Sequence, residues 1–141
     1  MNRAVRLILT GVLGAGMIVP LASVATAGDG LCDSGFACGY DSTSYNGAMF
    51  GTAQNLSDWK NQGFGNRADS VSANGAQCRY TVYYRTWHWW DSRPIGKAFT
   101  LYSRQLEGRN YRDPNLSNGA GYDSDGSDVR NDIEATEFTG C

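Results

Sequence analysis

The residues best suited to chemistry or binding lie in one short stretch, residues 85–96, with the sequence RTWHWWDSRPIG. It holds Trp87, Trp89 and Trp90 within four positions, flanked by arginines. Tryptophan and arginine concentrate binding energy when a partner's pocket buries them, and tryptophan can also stack on sugar rings. In a strand, Trp87 and Trp89 would share one face while His88 and Trp90 took the other. The stretch therefore predicts a surface for a protein or carbohydrate partner, and packing of one face in the core is the alternative.

The same stretch shows no pattern typical of catalysis. His88 is the single histidine of the chain, and no motif places a serine or cysteine nucleophile beside it. Acidic residues are plentiful, but no spacing singles out an acid–base pair. We therefore expect a binding protein rather than an enzyme. The residues predicted to contact a partner are Trp87, His88, Trp89, Trp90, Arg93 and Pro94.

Four cysteines, Cys32, Cys38, Cys78 and Cys141, allow two disulfides in three pairings. Cys32 and Cys38 are near neighbours, whereas Cys78 and Cys141 follow comparable places in two halves of the chain. This favours the pairs Cys32–Cys38 and Cys78–Cys141, with zinc ligation as the alternative. Disulfides in a small protein are typical of an oxidising compartment.

The first 27 residues have the pattern of a signal peptide. Arg3 and Arg6 precede an apolar run, and the segment ends in small residues at positions 25–27. We therefore expect residues 28–141 to form one secreted, extracellular domain without a membrane anchor, acting as a monomer. Cleavage would remove two of twelve basic residues and none of fourteen acidic ones, which leaves a net charge of −4. An acidic chain is a poor match to nucleic acid, whose phosphates attract basic faces.

Strand patterns dominate the predicted mature chain. Residues 78–85, CRYTVYYR, are rich in aromatic and β-branched types, and residues 97–104, KAFTLYSR, alternate in polarity. Asn-Gly pairs recur at positions 46–47, 74–75 and 118–119, where turns are expected. Short strands between such turns predict an all-β sandwich, with at most one helical turn near residues 55–61.

One hairpin is predicted to fold back on itself at residues 40–50, YDSTSYNGAMF. Tyr40 and Tyr45 can pack as an aromatic corner, and Gly47, after Asn46, can supply the positive φ of a two-residue turn. Ser70, about twenty residues later and just before a strand, could bond the folded backbone.

The chain also contains a weak internal repeat. Residues 68–73, ADSVSA, return as residues 131–135, NDIEA, and residues 95–99 parallel residues 46–50. The repeat predicts two Greek-key motifs, at about 31–77 and 78–141, packed as one domain. In this alignment Asp132 stands where the hairpin-tying Ser70 should be, so the second hairpin must be held differently.

Together these motifs resemble the βγ-crystallin superfamily, in which an aromatic-x4-aromatic-x-Gly pattern precedes a hexad ending in serine. Among its branches, the secreted actinobacterial peptidase inhibitors, typified by a metalloproteinase inhibitor, are the most similar. The likeness is carried by CDSGFAC at residues 32–38, the YNG turn, and the LSDW and NRADSVSANG segments. It implies a βγ-crystallin-like sandwich that inhibits an extracellular peptidase of the metallopeptidase type.

The resemblance also implies calcium as the candidate cofactor, because the superfamily's hexads supply oxygen ligands. Carried onto this chain, the second hexad positions are Asn66 and Asp128, and the fifth positions are Asp69 and Asn131. The first positions, Gly65 and Ser127, depart from the pattern, so a motif kept only for its turn geometry is the alternative. Three functions stay open: a peptidase inhibitor, a calcium-binding or structural module, and a carbohydrate or cell-wall binder.

Overall fold

The computed structural model describes residues 32–141, and the predicted signal peptide at residues 1–27 lies outside them. Within the described residues no helix is long and apolar enough to span a membrane. The described chain is nearly all β, which confirms the predicted fold class. Where a helical turn was expected near residues 55–61, the structure has a strand followed by a turn. The strands are β1 (Ala37–Tyr40), β2 (Met49–Thr52), β3 (Leu56–Asp58), β4 (Ser70–Ala73), β5 (Tyr80–His88), β6 (Arg93–Tyr102), β7 (Arg112–Asp113) and β8 (Ala135–Thr139), and the short helix α1 is Arg104–Glu107.

The strands form two four-stranded antiparallel sheets, ordered β2-β1-β4-β7 and β3-β8-β5-β6. We call β1–β4 the first unit and β5–β8 the second unit. In each unit the fourth strand returns to pair with the first, as in a Greek key. The third strand of each unit pairs with the fourth strand of the other unit, so each sheet takes strands from both.

The core between the sheets is aromatic and centred on Trp59. Its ring lies 5.2 Å from that of Phe50 and 5.9 Å from that of Tyr83, and its indole N–H donates to Thr136 Oγ1 at 3.0 Å. Gly39 lies directly against this ring, and a Cβ at that position would overlap it. Trp59 is fully buried, and removing such a side chain from water stabilises a fold by about 2–3 kcal/mol.

The folded hairpin forms at the predicted place but with a different turn. Positive φ angles occur at Ser44, Tyr45 and Gly47, whereas Asn46 has φ of −101°, so Asn46 and Gly47 are not a two-residue turn of the predicted kind. Tyr45 packs edge-on against Tyr40 with centroids 5.7 Å apart. The prediction was wrong because residues 43–45 form a 3₁₀ turn that reverses the chain before the Asn-Gly pair.

Ser70 ties this hairpin to β4. Its buried hydroxyl donates to the carbonyl oxygen of Ser42 at 2.7 Å and accepts the backbone N–H of Tyr45 at 3.0 Å. Asp41 adds a second tie by accepting the N–H of Ala48 at 2.7 Å. A backbone with two non-glycine residues at positive φ is strained, and these bonds hold it in place.

The register of the repeat differs from the predicted alignment. Asn66 N–H donates to Ile133 O, and Asn131 N–H donates to Ala68 O, at 2.8 and 2.9 Å. Both asparagines have positive φ, 56° and 55°, so they occupy equivalent places in the two units. Ser70 is therefore equivalent to Ala135, where β8 begins, and the predicted equivalence with Asp132 was wrong.

Two disulfides close the described chain, and no cysteine among residues 32–141 is free. The pairs are Cys32–Cys38 and Cys78–Cys141, as the sequence favoured. The second pair joins the segment just before β5 to the end of β8, and so encloses the whole second unit.

Replacing Ser70 with alanine should lower the free energy of unfolding by about 1–3 kcal/mol, because Ser42 O and Tyr45 N–H lose their partner in a buried site. Urea denaturation of the purified protein measures the change. Ser34→Ala makes the same chemical change at an exposed serine and should leave the midpoint unaltered. Equal midpoints for the two variants would contradict the proposed tie.

Removing the longer disulfide by the double change Cys78→Ser and Cys141→Ser should cost about 4 kcal/mol of stability, because the bond closes a long loop of the unfolded chain. Removing the six-residue-spaced Cys32–Cys38 pair should cost less by the same reasoning. Denaturation midpoints of both double variants decide the order. A smaller loss for the Cys78–Cys141 pair would overturn this prediction.

Candidate partner-binding ribbon

The stretch with the clustered tryptophans forms a two-stranded ribbon. β5 pairs with β8 only as far as Tyr84, opposite Ala135, but it pairs with β6 as far as His88, opposite Arg93. Beyond Tyr84, β5 and β6 therefore leave the sheet together. We call residues 85–96 the ribbon and its turn, residues 89–92, the tip.

The ribbon stands where the first unit has its folded hairpin. After Tyr40 the chain turns back at once and is tied down by Ser70. After Tyr84, the equivalent residue, the strand continues, and Ala135 offers no hydroxyl with which to hold a fold-over. The same position in the repeat therefore gives a compact hairpin in one unit and a projecting one in the other.

Two tryptophans at the tip are exposed, Trp89 by 76% and Trp90 by 62%. Their rings meet edge-on with centroids 5.8 Å apart, and the His88 ring stacks on Trp90 at 4.1 Å. Strand alternation does not apply to Trp89, because β5 ends at His88 and Trp89 lies in the turn. Trp87 is only partly buried, so none of the three tryptophans belongs to the core.

The tip is also braced by charge. Asp91 accepts a hydrogen bond from the Arg93 guanidinium at 2.7 Å, and Ser92 adopts a positive φ of 49° to close the turn. His88 Nδ1 is buried without a hydrogen-bond partner, and the nearest Asp91 oxygen is 3.8 Å away. The structure thus brings the predicted contact residues together on one ribbon, with Trp89 and Trp90 outermost.

At its base the ribbon is held by Arg85. The guanidinium pairs with Asp132 at 3.1 Å and donates to Ser127 Oγ at 2.9 Å. Asp132 therefore does hold the second hairpin, through an ion pair at the base of the ribbon and not from the position of Ser70. Because both side chains are partly exposed, the pair itself contributes little stability, and its effect is to fix direction.

Glu134 links the ribbon to the first unit. One carboxylate oxygen accepts the backbone N–H of Trp87 at 3.0 Å, and the other accepts Asn66 Nδ2 at 2.9 Å and Lys60 Nζ at 3.3 Å. Burial would raise the pKa of this carboxyl group, but these three donors together hold it below its ordinary value of 4.5. The sequence analysis missed this residue. The signal that could have identified it is its position 65 residues after Asp69, which is the equivalent residue of the first unit.

Both open edges of the ribbon resist the addition of a further strand. On the β5 edge, the N–H of Trp87 is already bonded to Glu134. Pro94 lies opposite Trp87 in the ladder, so its nitrogen faces the other edge, and proline has no N–H to offer. Both edges of the ribbon therefore disfavour β-strand addition at this position.

Two of the four residues predicted as calcium ligands use their side chains in other contacts. Asn66 donates to Glu134, and Asp128 forms a surface pair with Arg130 at 2.7 Å. Asp69 has one buried oxygen without a hydrogen bond, and the Asn131 N–H bonds Ala68 O. Within residues 32–141 no group of three or more His, Cys, Asp or Glu side chains could hold a metal ion. Calcium binding remains a prediction, and the corrected register pairs Asn66 with Asn131 and Asp69 with Glu134.

These features define a small disulfide-bonded β-sandwich with a ribbon whose tip carries two exposed tryptophans. Comparison with protein families finds a match over part of the chain: residues 25–88 match the model of peptidase inhibitor family I36. This match confirms the resemblance to peptidase inhibitors and indicates an inhibitor rather than an enzyme. It covers the first unit and β5 and ends before the tip. Searches of curated proteins and of solved structures each returned no significant match.

Glu134→Gln should destabilise the protein above about pH 4.5 and flatten its response to acid. A carboxyl group whose pKa is lower in the folded state stabilises that state above its unfolded pKa, and this contribution is lost as pH falls through the folded value. The free energy of unfolding of the wild type should therefore fall more steeply below pH 4.5 than that of the variant.

The matched control is Glu137→Gln, three residues further along the chain in β8, whose carboxylate accepts the Tyr84 hydroxyl. Urea denaturation at several pH values between neutral and acid gives the comparison. If Glu137→Gln changed the pH dependence as much as Glu134→Gln does, Glu134 would not have the role assigned to it.

Proposed function

We propose that this protein is an extracellular inhibitor of a metallopeptidase, and that the ribbon tip enters the enzyme's substrate cleft. The family match supports a role as a peptidase inhibitor. The choice of the ribbon tip as the binding surface rests on its two exposed tryptophans, which are 76% and 62% accessible. The base of the ribbon that carries them is held by Arg85 and Glu134.

Rigidity makes this surface suitable for tight binding. Association costs the entropy of every segment that must be ordered, so a tip that is already ordered loses less on docking. The ion pair of Arg85 with Asp132, the Glu134 bond to Trp87 and the Asp91–Arg93 bond hold the ribbon before any partner arrives. This preorganisation is the physical basis of the proposed inhibition.

The chemistry of the tip fits an enzyme that cleaves beside large apolar residues. Trp89 and Trp90 offer bulky rings for such a pocket, and deeply buried aromatic anchors commonly dominate binding energy. Asp91 and Arg93 lie at the rim of the same turn, where charges affect association rates more than affinity.

An extracellular site of action rests on the two disulfides, which persist in oxidising compartments, together with the signal-like start of the sequence. We further propose that the inhibitor acts as a monomer. The protected ribbon edges support this, because they disfavour pairing between two copies.

Inhibition assays of residues 28–141 against a thermolysin-type metallopeptidase and a subtilisin-type serine peptidase test the proposal. Inhibition of the metallopeptidase is expected, and Trp89→Ala or Trp90→Ala should weaken it by tenfold or more, as for an interface anchor. Leu106→Ala removes another exposed apolar side chain, from helix α1, and should leave the inhibition constant unchanged.

Unfolding midpoints of all three variants should match that of the wild type, because the changed side chains lie on the surface. Inhibition of the serine peptidase alone would contradict the metallopeptidase assignment. Undiminished inhibition by the double variant Trp89→Ala, Trp90→Ala would show that the contact surface lies away from the tip.

A further inference from the structure

A polar cleft opens beside the base of the ribbon, between the free edges of the two sheets. β2 ends one sheet and β3 ends the other, and the space between these edges is about 390 Å³. Trp87, which belongs to the ribbon, forms one wall of the cleft. Phe50 lines the part nearest the core, where its ring packs on Trp59. The remaining lining residues are Gly51, Thr52, Gln54, Leu56, Ser57, Asp58, Asn61 and Gln62.

Three side-chain amides in this lining are unused. Gln54, Asn61 and Gln62 are exposed, and within residues 32–141 none of their side-chain amide groups makes a hydrogen bond. Each amide offers two donors and an acceptor on the same planar group. The cleft therefore presents three donor–acceptor groups next to an indole ring.

The charge of the cleft excludes several ligand classes. Asp58 is the single charged residue in its lining, and its carboxylate already accepts the N–H groups of Lys60 and Asn61 at 2.9 and 3.1 Å. Among the residues that the structure describes, no lysine or arginine lines the cleft, so a phosphate or carboxylate ligand would find no partner charge. A neutral, hydrogen-bonding ligand fits this environment best.

We propose that this cleft binds a neutral saccharide. Sugar hydroxyls both donate and accept, as the amides of Gln54, Asn61 and Gln62 do, and the C–H face of a sugar ring can lie against the partly buried Trp87 indole. The volume matches a small-ligand site. A saccharide bound there would place the protein on a glycan surface while the ribbon tip stays free.

This saccharide site does not depend on the proposed inhibition. The two surfaces share the ribbon but use different residues, with Trp87 in the cleft and Trp89 and Trp90 at the tip. Failure of one proposal therefore leaves the other standing, and each has its own set of variants.

Two soluble probes, cellotriose and N,N′,N″-triacetylchitotriose, test the site with the protein of residues 28–141. Titration to about 10 mM, followed by tryptophan fluorescence and NMR line shifts, should show saturable binding of at least one probe, as expected of a weak site. Shifts should centre on the indole of Trp87 and on the side-chain amides of Asn61 and Gln62.

The exposed amide residues are substituted to test the site, because Trp87→Ala could disturb the ribbon itself. Asn61→Ala and Gln62→Ala should each weaken saccharide binding about tenfold through a lost hydrogen bond. Gln77→Ala, at an exposed glutamine outside the cleft, is the matched control and should bind as the wild type does. Peptidase inhibition by all three variants should be unchanged.

Absence of saturable binding by both probes, or equal affinity of Asn61→Ala, Gln62→Ala and Gln77→Ala, would overturn the saccharide site. If saccharide binding is instead lost in Trp89→Ala and Trp90→Ala, the sugar binds at the tip, and the proposed cleft site is wrong. A loss of inhibition in the tip variants with saccharide binding intact would support both proposals separately.

Discussion

The whole structure depends on the exchange of third strands between the two units. β3 pairs with β8, and β7 pairs with β4, so neither unit can complete its own sheet. The crossing continues in the loops, where Trp59 N–H bonds Glu134 O and Leu116 N–H bonds Asp69 O, at 2.8 and 3.0 Å. Buried backbone groups must find partners, and here each unit supplies them to the other. Folding of one half alone would therefore leave both an open sheet and an exposed aromatic core.

Within this common frame, the difference between the units follows from one pair of equivalent residues. Ser70 has a hydroxyl that holds a strained turn in the first unit, whereas Ala135 has none and the second unit keeps its strands extended. The extended ribbon needs other support, which Asp132 gives through Arg85 and Glu134 gives through the Trp87 backbone. Charged side chains near Ala135 thus hold the second hairpin, whereas the Ser70 hydroxyl holds the first.

The sequence predicted the all-β class, the pairing of cysteines and the role of Ser70, since each leaves a local pattern of residue types. It misplaced the second repeat, because the short match of ADSVSA with NDIEA is satisfied in more than one register. The true spacing of 65 residues links Asn66 to Asn131, and only their shared positive φ and crossing bonds reveal it. The exposure of Trp89 was equally hidden, because strand periodicity says nothing about where a strand stops. Glu134 was missed because its three donors come from distant parts of the chain.

The ribbon has a consequence for how such a protein can change over evolutionary time. Within residues 32–141 its ladder beyond Tyr84 pairs with no further strand, so inserting two residues in each arm would keep the alternation of inward and outward side chains. Each such insertion would carry the tip about 7 Å further from the sandwich. The first unit's hairpin has no comparable freedom, because Ser70 fixes its length. Reach toward a partner can therefore diverge in one half of the molecule while the other half conserves the fold.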